Sequence, residues 1–342
     1  MRKITVLMAL VICVSAFLAG CGSKSANDVV GDLGDVVNDL NSYYASGVMT
    51  IHTSQEPQKY EVEVSYQKPE YYRIALTNME KDISQIVLRN DEGVFILTPH
   101  LKKSFRFQSE WPKGQGQVYL YQTLADSIIQ DGQRQFTKDD EHSAYVFDVT
   151  ANYQNSTLAR QKIWLDQKSY AAKRVEIADS GNQVLVELEF NQFEFDKKFE
   201  ASEFDMQHNL TSYELEVMPT MGEIEDDGVE EQFGVIMPAY TPEGVLHNGV
   251  HDLEFGEQMA VMLDFTGEYN YTIVESRPME QTVDAGVGKL VDIGGMQGVM
   301  TGDEKKMLRW FYDGIEFKLS SADLPESEMV KIAESVQGQI GK

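Results

Sequence analysis

The sequence predicts an α+β protein in two parts: a long antiparallel meander interrupted by helices, then a smaller C-terminal α+β domain behind an acidic linker. Three observations carry this. Between about residues 47 and 190, apolar residues recur with period two in short runs separated by turn residues. Two stretches, before and within the meander, change to helical spacing. Composition then shifts sharply at 219–232, where Pro219-Thr220-Met221-Gly222 leads into Glu223-Ile224-Glu225-Asp226-Asp227-Gly228.

The first element is a leader. Arg2 and Lys3 precede an uncharged apolar run from Ile4 to Phe17, and Leu18-Ala19-Gly20-Cys21 follows as a lipobox. The apolar run falls short of the roughly 20 residues a spanning helix needs. Residues 1–20 are therefore a lipoprotein signal peptide, cleaved between Gly20 and Cys21. The Cys21 thiol is predicted to carry the lipid, with acyl chains such as palmitate. Cys13 leaves with the leader, so the mature chain has one cysteine, acylated, and no disulfide. Residues 21–27 form a short polar tether, and the lipid holds the protein on the extracytoplasmic face of the cell membrane.

Val29, Val30, Leu33, Val36, Val37 and Leu40 mark an amphipathic helix over 26–41. Strands are predicted at Val48 to Thr53, Tyr60 to Tyr66, Tyr71 to Leu76, Ile83 to Arg89, Val94 to Thr98 and Lys103 to Phe107. Glu56-Pro57, Lys68-Pro69, Asp91-Glu92-Gly93 and Pro99-His100 supply the turns. Val118, Leu120, Tyr121, Leu124 and Ile128 mark a helix over Val118 to Gln130. Strands resume at Ser143 to Val149, Arg160 to Leu165, Ala172 to Ala178 and Val184 to Phe190. The first domain is assigned to 26–215, the linker to 216–238 and the second domain to 239–342. That domain has strands near Tyr269 to Glu275, Lys289 to Ile293, Gln297 to Thr301, Lys306 to Tyr312 and Ile315 to Ser320. Pro325 opens a last helix with Met329, Ile332, Ala333, Val336 and Ile340 as its apolar stripe.

Charge excludes one class of function. Removing Arg2 and Lys3 with the leader moves the formal charge from −26 to −28. Such a surface repels nucleic acid and anionic headgroups.

Catalytic patterns are weak. His247 and His251 stand four apart beside Asp252 and Glu254, but Pro242, Gly244, Asn248 and Gly249 predict a loop, which removes the helical geometry for zinc. Gly286-Val287-Gly288-Lys289 lacks the Ser or Thr and the spacing of a phosphate loop. It and Gly294-Gly295-Met296-Gln297-Gly298 read as turns between strands. No Gly-x-Ser-x-Gly is present. Glu223 to Glu231 lacks the alternation of a calcium loop. No catalytic residue, metal site or cofactor is assigned. Tyr71, Tyr72, Phe95, Phe105, Phe107, Trp111 and Trp164 read mostly as sheet core. Trp111, before the Val118 helix, and Tyr72 are the candidate rim of a cleft.

Three sequence stretches resemble the LolA/LolB lipoprotein-carrier superfamily: Lys68-Pro69-Glu70-Tyr71-Tyr72-Arg73; Ile86 to Pro99; and Ile163-Trp164-Leu165-Asp166 with Ala172 to Glu176 and Asp179-Ser180-Gly181. The resemblance spans about 26–208. With the lipobox and the extra domain, the chain resembles the sporulation and germination lipoproteins of Gram-positive spore formers, the YdcC- and GerS-like group. The second domain resembles an uncharacterised module of such proteins through Leu308-Arg309-Trp310 and the last helix. The resemblance implies a strongly curved antiparallel half-open β-barrel with helices on its concave side. Arg73 matches the arginine that hydrogen-bonds the helical lid in carriers. The function implied is a non-enzymatic binding module, for an acyl chain or an envelope protein partner, in sporulation or envelope maturation. An envelope-stress signalling regulator is the alternative, since such regulators share this fold with a second domain. An envelope hydrolase would need a constellation that the sequence lacks.

Overall fold

The computed structural model describes residues 24–211 and 235–339, apart from 53–55, 109–116, 152, 154–157, 256–257, 277–281, 295, 313 and 338. Helix α1 (Ala26–Asp39) begins at a capping box: the Asp28 N–H donates to Ser25 Oγ, and the Ser25 N–H donates to the Asp28 carboxylate. Residues 26 and 27, which the predicted tether and the predicted helix shared, are helical. Val29 and Leu33 form its buried stripe.

Eleven strands of the first sheet follow among the described residues. They are β1 (Ser42–Ile51), β2 (Gln58–Gln67), β3 (Tyr71–Asn78), β4 (Ile83–Asn90), β5 (Gly93–Thr98), β6 (Lys103–Gln108), β7 (Gln135–Asp139), β8 (Ala144–Thr150), β9 (Arg160–Asp166), β10 (Ala172–Ala178) and β11 (Val184–Phe195). Helix α2 (Tyr121–Gln130) lies between β6 and β7. The strands pair antiparallel in the order β7-β8-β9-β10-β11-β1-β2-β3-β4-β5-β6, so the sheet is open between β7 and β6. Strand β1 slips register at Ser46/Gly47 against β11, a bulge that bends the sheet. A Cβ at Gly47 would stand 2.2 Å from the Glu189 carbonyl oxygen, so only glycine lets the strands approach there.

The two faces of this sheet are covered differently. On the concave side α1 and α2 join Tyr43, Met49, Val62, Ile74 and Val87 in one core. On the convex side Ala75, Ile86, Leu88, Phe95 and Leu97 are covered by the 3₁₀ turn Ala201–Phe204 and helix α3 (Met206–Thr211), through Phe204 and Leu210. Strands β4 and β5 are buried on both faces, which explains their unbroken apolar runs.

The second sheet contains β12 (Val245–Phe255), β13 (Gln258–Gly267), β14 (Tyr271–Ser276), β15 (Thr282–Ile293), β16 (Met296–Thr301), β17 (Lys306–Tyr312) and β18 (Ile315–Ser321), with helix α4 (Glu326–Glu334) packed on it. Its order is β12-β13-β14-β18-β17-β16-β15. The fold is thus α+β, a curved open antiparallel sheet with covering helices plus a smaller sheet-and-helix part.

Several expectations change. The stretch with His247 and His251 is strand β12, not a loop, and it runs along the edge of the sheet. Gly286 to Lys289 lies inside β15 rather than in a turn. A turn does occur at Gly294, at φ +59, but Met296 to Gly298 already belong to β16. Strands β7 and β13 and the first half of β15 were not expected. Strand β1 starts six residues before Val48, at Ser42, because Tyr43 and Ala45 already face the core. Helix α2 starts at Tyr121, and Val118 and Leu120 are buried in the approach to it. Ile236, expected in the linker, is buried in the second core, and its N–H donates to the Glu275 carboxylate at 3.0 Å. Ile340 and the acidic cluster Glu223 to Glu231 lie outside the described residues.

Strand β15 belongs to both sheets. Its first half pairs in parallel with β6, Thr282 opposite Ser104 and Val283 opposite Phe105. Its second half pairs antiparallel with β16. Leu290 of β15 and Val299 of β16 are part of the concave core of the first sheet.

Candidate functional site

Alternation along β3 decides where the candidate residues point. Tyr72, Ile74 and Leu76 face the concave core, so Tyr71, Arg73 and Ala75 face outward. Tyr72 is buried, its ring 4.8 Å from that of Tyr66, which is 5.5 Å from Tyr43. Burial pushes its hydroxyl well above the ordinary value, so it stays protonated. Tyr72 therefore sits in a packed row of tyrosines. Cys21, Gly20 and Trp111 lie outside the described residues.

Arg73 does meet a helix, but the one on the convex face. Its Nε donates to Asn209 Oδ1 of α3 at 2.7 Å, and its Nη1 donates to Glu63 Oε2 at 3.2 Å. Asn209 is 3% exposed. Its Nδ2 donates to the carbonyls of Glu203 and Asp205 at 2.8 and 2.9 Å. Asn90 Nδ2 donates to the Phe204 carbonyl at 2.9 Å, and Ser65 Oγ donates to Glu203 Oε1 at 2.6 Å. Residues 199–211 are thus a strap, glued by Phe199, Phe204 and Leu210 and latched by Arg73, Asn90 and Ser65. The lid role that resemblance gives Arg73 concerns a helical cover. Here the cover it holds is α3, through a side-chain oxygen rather than a helix-end carbonyl.

A second polar cluster, not anticipated from the sequence, lies where the two sheets meet. Lys103 Nζ stands 2.8 Å from Glu316 Oε2, both side chains buried. Arg309 Nε and Lys318 Nζ approach Glu316 Oε1 at 3.3 and 3.4 Å. Burial pulls the Lys103 ammonium below its ordinary value although Glu316 opposes this. The rings of Phe105 and Phe311, 5.1 Å apart, flank the pair. On the concave side Gln85 behaves like a strand partner: its Nε2 donates to the Gln297 carbonyl and its Oε1 accepts from the Gln297 N–H at 3.1 Å. Gln297 Nε2 donates to the buried Tyr119 hydroxyl at 3.1 Å. Between these clusters Tyr60, Leu76, Met296, Phe311 and Tyr312 line a cavity of about 30 Å³, the size of one water.

The other sequence candidates scatter. His247 lies against the Phe265 ring, 5.2 Å away, and His251 Nε2 is 3.9 Å from Asp264 Oδ2, both exposed on β12. Among the described residues no three or more His, Cys, Asp or Glu come together as metal donors. Phe95 and Phe105 are core, whereas Trp164 is half-buried between Lys162 and Arg174, which stand 5.7 and 5.4 Å from its ring.

The family model described as sporulation protein YdcC-like matches residues 1–204. Sporulation protein YdcC of Bacillus subtilis (strain 168) is 35% identical over 345 residues, covering 100% of this chain and 99% of that protein. The chain belongs to the YdcC-like sporulation protein family. A second model, a domain of unknown function (DUF4367), matches residues 235–336, so the YdcC-like region is followed by that module. Among solved structures, the Pseudomonas aeruginosa MucA/MucB complex matches at 13% identity, over 89% of this chain and 98% of that one, with a TM-score of 0.33. The CwlD amidase from Clostridioides difficile in complex with the GerS lipoprotein matches at 12% identity, over 52% and 97%, with a TM-score of 0.27. The LolA superfamily protein NE2245 from Nitrosomonas europaea matches at 12%, over 54% and 100%, with a TM-score of 0.29.

Proposed function

We propose that this YdcC-like chain is a lipid-anchored, extracytoplasmic and non-enzymatic protein that serves sporulation by binding a protein partner. The anchor reading rests on Leu18-Ala19-Gly20-Cys21. The sporulation reading rests on the family. Preference for a protein partner over an acyl chain rests on one observation: the concave face is already filled. Helices α1 and α2, the tyrosine row, and Leu290 and Val299 from the second sheet occupy it. The seam cavity of about 30 Å³ is far below the several hundred Å³ of a small-molecule site, and the larger hollows, of about 300 to 670 Å³, are open surface depressions lined largely by polar and charged residues such as Asp131, Asp140 and Glu268. An acyl chain would have to displace one of these elements.

The test is to purify the lipidated protein from sporulating cells and weigh its extractable lipid. Expected is no stoichiometric lipid beyond the covalent anchor, together with one protein that crosslinks to it reproducibly. A fatty-acyl ligand at one per chain would overturn the partner reading. Cys21→Ala is expected to leave a longer, unlipidated precursor on a gel. A variant that still matures to the normal size refutes the anchor.

A further inference from the structure

The start of the folded chain is fixed in place. Lys24 Nζ donates to the Tyr170 hydroxyl at 3.0 Å and pairs with Asp32, and the Tyr170 hydroxyl donates to Asp32 Oδ2 at 2.6 Å. Ser25 caps α1. Arg134 Nη2 donates to Asn27 Oδ1 at 3.3 Å. Tyr170 lies in the turn between β9 and β10, and Arg134 immediately precedes β7. The first residues of α1 are thereby tied to the β7–β9 edge of the first sheet. That is the opposite edge, in strand order, from β6, where β15 brings in the second sheet.

Only three residue steps separate Cys21 from Lys24. Fully extended, they reach about 11 Å. A lipid on Cys21 therefore cannot let the surface around Lys24 drift far from the bilayer. We propose that the β7–β9 edge, with the exposed turn residues 140–143 and 168–169, is the membrane-facing surface. The lipid headgroup layer is its occupant. This rests on the lipid-anchor reading above.

Charge does not supply the orientation. Lys24, Lys138, Lys168 and Lys173 on this edge are matched by Asp32, Asp139, Asp140, Glu141 and Asp166. Attraction to anionic lipid is absent from such a mixture, and the short covalent reach does the orienting. The arrangement is therefore expected to be insensitive to salt, unlike a polybasic contact.

The acylated Cys21 leaves no other thiol in the mature chain, so single-cysteine variants label cleanly. Lys168→Cys, in the turn between β9 and β10, and Glu304→Cys, in the turn between β16 and β17 of the second sheet, both exposed, carry a fluorophore on the lipidated protein. The proteins are placed on phosphatidylcholine vesicles with a headgroup quencher. Expected is several-fold stronger quenching at 168 than at 304, at low and at high salt. Equal or reversed quenching overturns the proposal. A difference that vanishes at high salt assigns it to charge and overturns the tether as cause. A Gly/Ser spacer of about 20 residues between Ser23 and Lys24, spanning some 25 Å as a random coil, is expected to abolish the difference. If the difference survives the spacer, the tether does not set the orientation. Vesicle flotation separates the two readings. A protein that fails to float refutes the anchor itself, and one that floats with equal quenching refutes only the orientation.

Discussion

Glu316 and Glu275 are buried on neighbouring strands of the second sheet, β18 and β14, and they survive burial by opposite means. Glu316 faces the seam and is met by Lys103, Arg309 and Lys318. Glu275, 0% exposed, faces the second core, where among the described residues its Oε2 accepts the Ile236 N–H and its Oε1 finds no hydrogen-bond partner. Burial pushes the Glu275 carboxyl up to about 7, against the pull of that one N–H. One carboxylate is ringed by cations from two sheets. The other gives its charge up to a proton. A buried acid at an interface therefore binds parts together, whereas one inside a core makes stability depend on pH.

The largest effect is expected at the seam. Glu316→Ala leaves Lys103 buried without its carboxylate and is expected to cost about 3–5 kcal/mol in urea unfolding. A loss under about 1 kcal/mol would mean that the seam tolerates an unpaired ammonium.

At Glu275 the sign runs the other way. Its carboxyl titrates at 4.5 ordinarily and at about 7 in the fold, so the folded state holds the proton more tightly. Stability is fully present below 4.5 and falls as pH rises towards 7, by about 3 kcal/mol at most. Glu275→Gln keeps the acceptor for Ile236 and is expected to flatten this decline. A decline of unchanged depth in the variant would assign it to other groups.

Arg73→Leu tests the convex strap against the seam. Loss of a charged hydrogen bond to Asn209 is expected to cost about 1.5–3 kcal/mol. Faster amide exchange should be confined to residues 199–211, with the seam unaffected. Loss of protection throughout the sheet would make Arg73 part of the core instead.

The smallest effect is expected from cutting the chain. Limited proteolysis between 212 and 234 should leave two fragments that elute together, because β6, β15, Lys103 and Glu316 still join them. Fragments that separate without denaturant would show the seam to be weak.

Sequence pattern revealed what a single covered face or a fully buried strand imprints. Strands β2 to β5 and β8 to β11 alternate or run apolar because a core lies against them, and helices α1 and α2 show their stripes for the same reason. Edge strands leave no such mark. Strand β7 is polar and largely exposed, and β12 carries Leu246 and Val250 in the open, with His, Asn and Gly that resemble loop chemistry. The candidate arginine was legible through its neighbours in sequence. Asn209, which it grips, was not, and neither was the pairing of Lys103 with Glu316. Such contacts follow from topology, which places distant residues together without any local period.

The dual membership of β15 has a consequence for biogenesis. The chain is made N-terminus first, so all eleven strands of the first sheet, with β6 at one edge, exist before β15 does. The outer N–H and C=O groups of β6 lack the β15 partner until Thr282 has been made. For that interval the protein displays a raw sheet edge of the kind that templates intermolecular pairing. Arrest or truncation before residue 282 should therefore yield an aggregation-prone product even though the first sheet is complete in sequence. The second module thus covers, within the same polypeptide, an edge that the first would otherwise present.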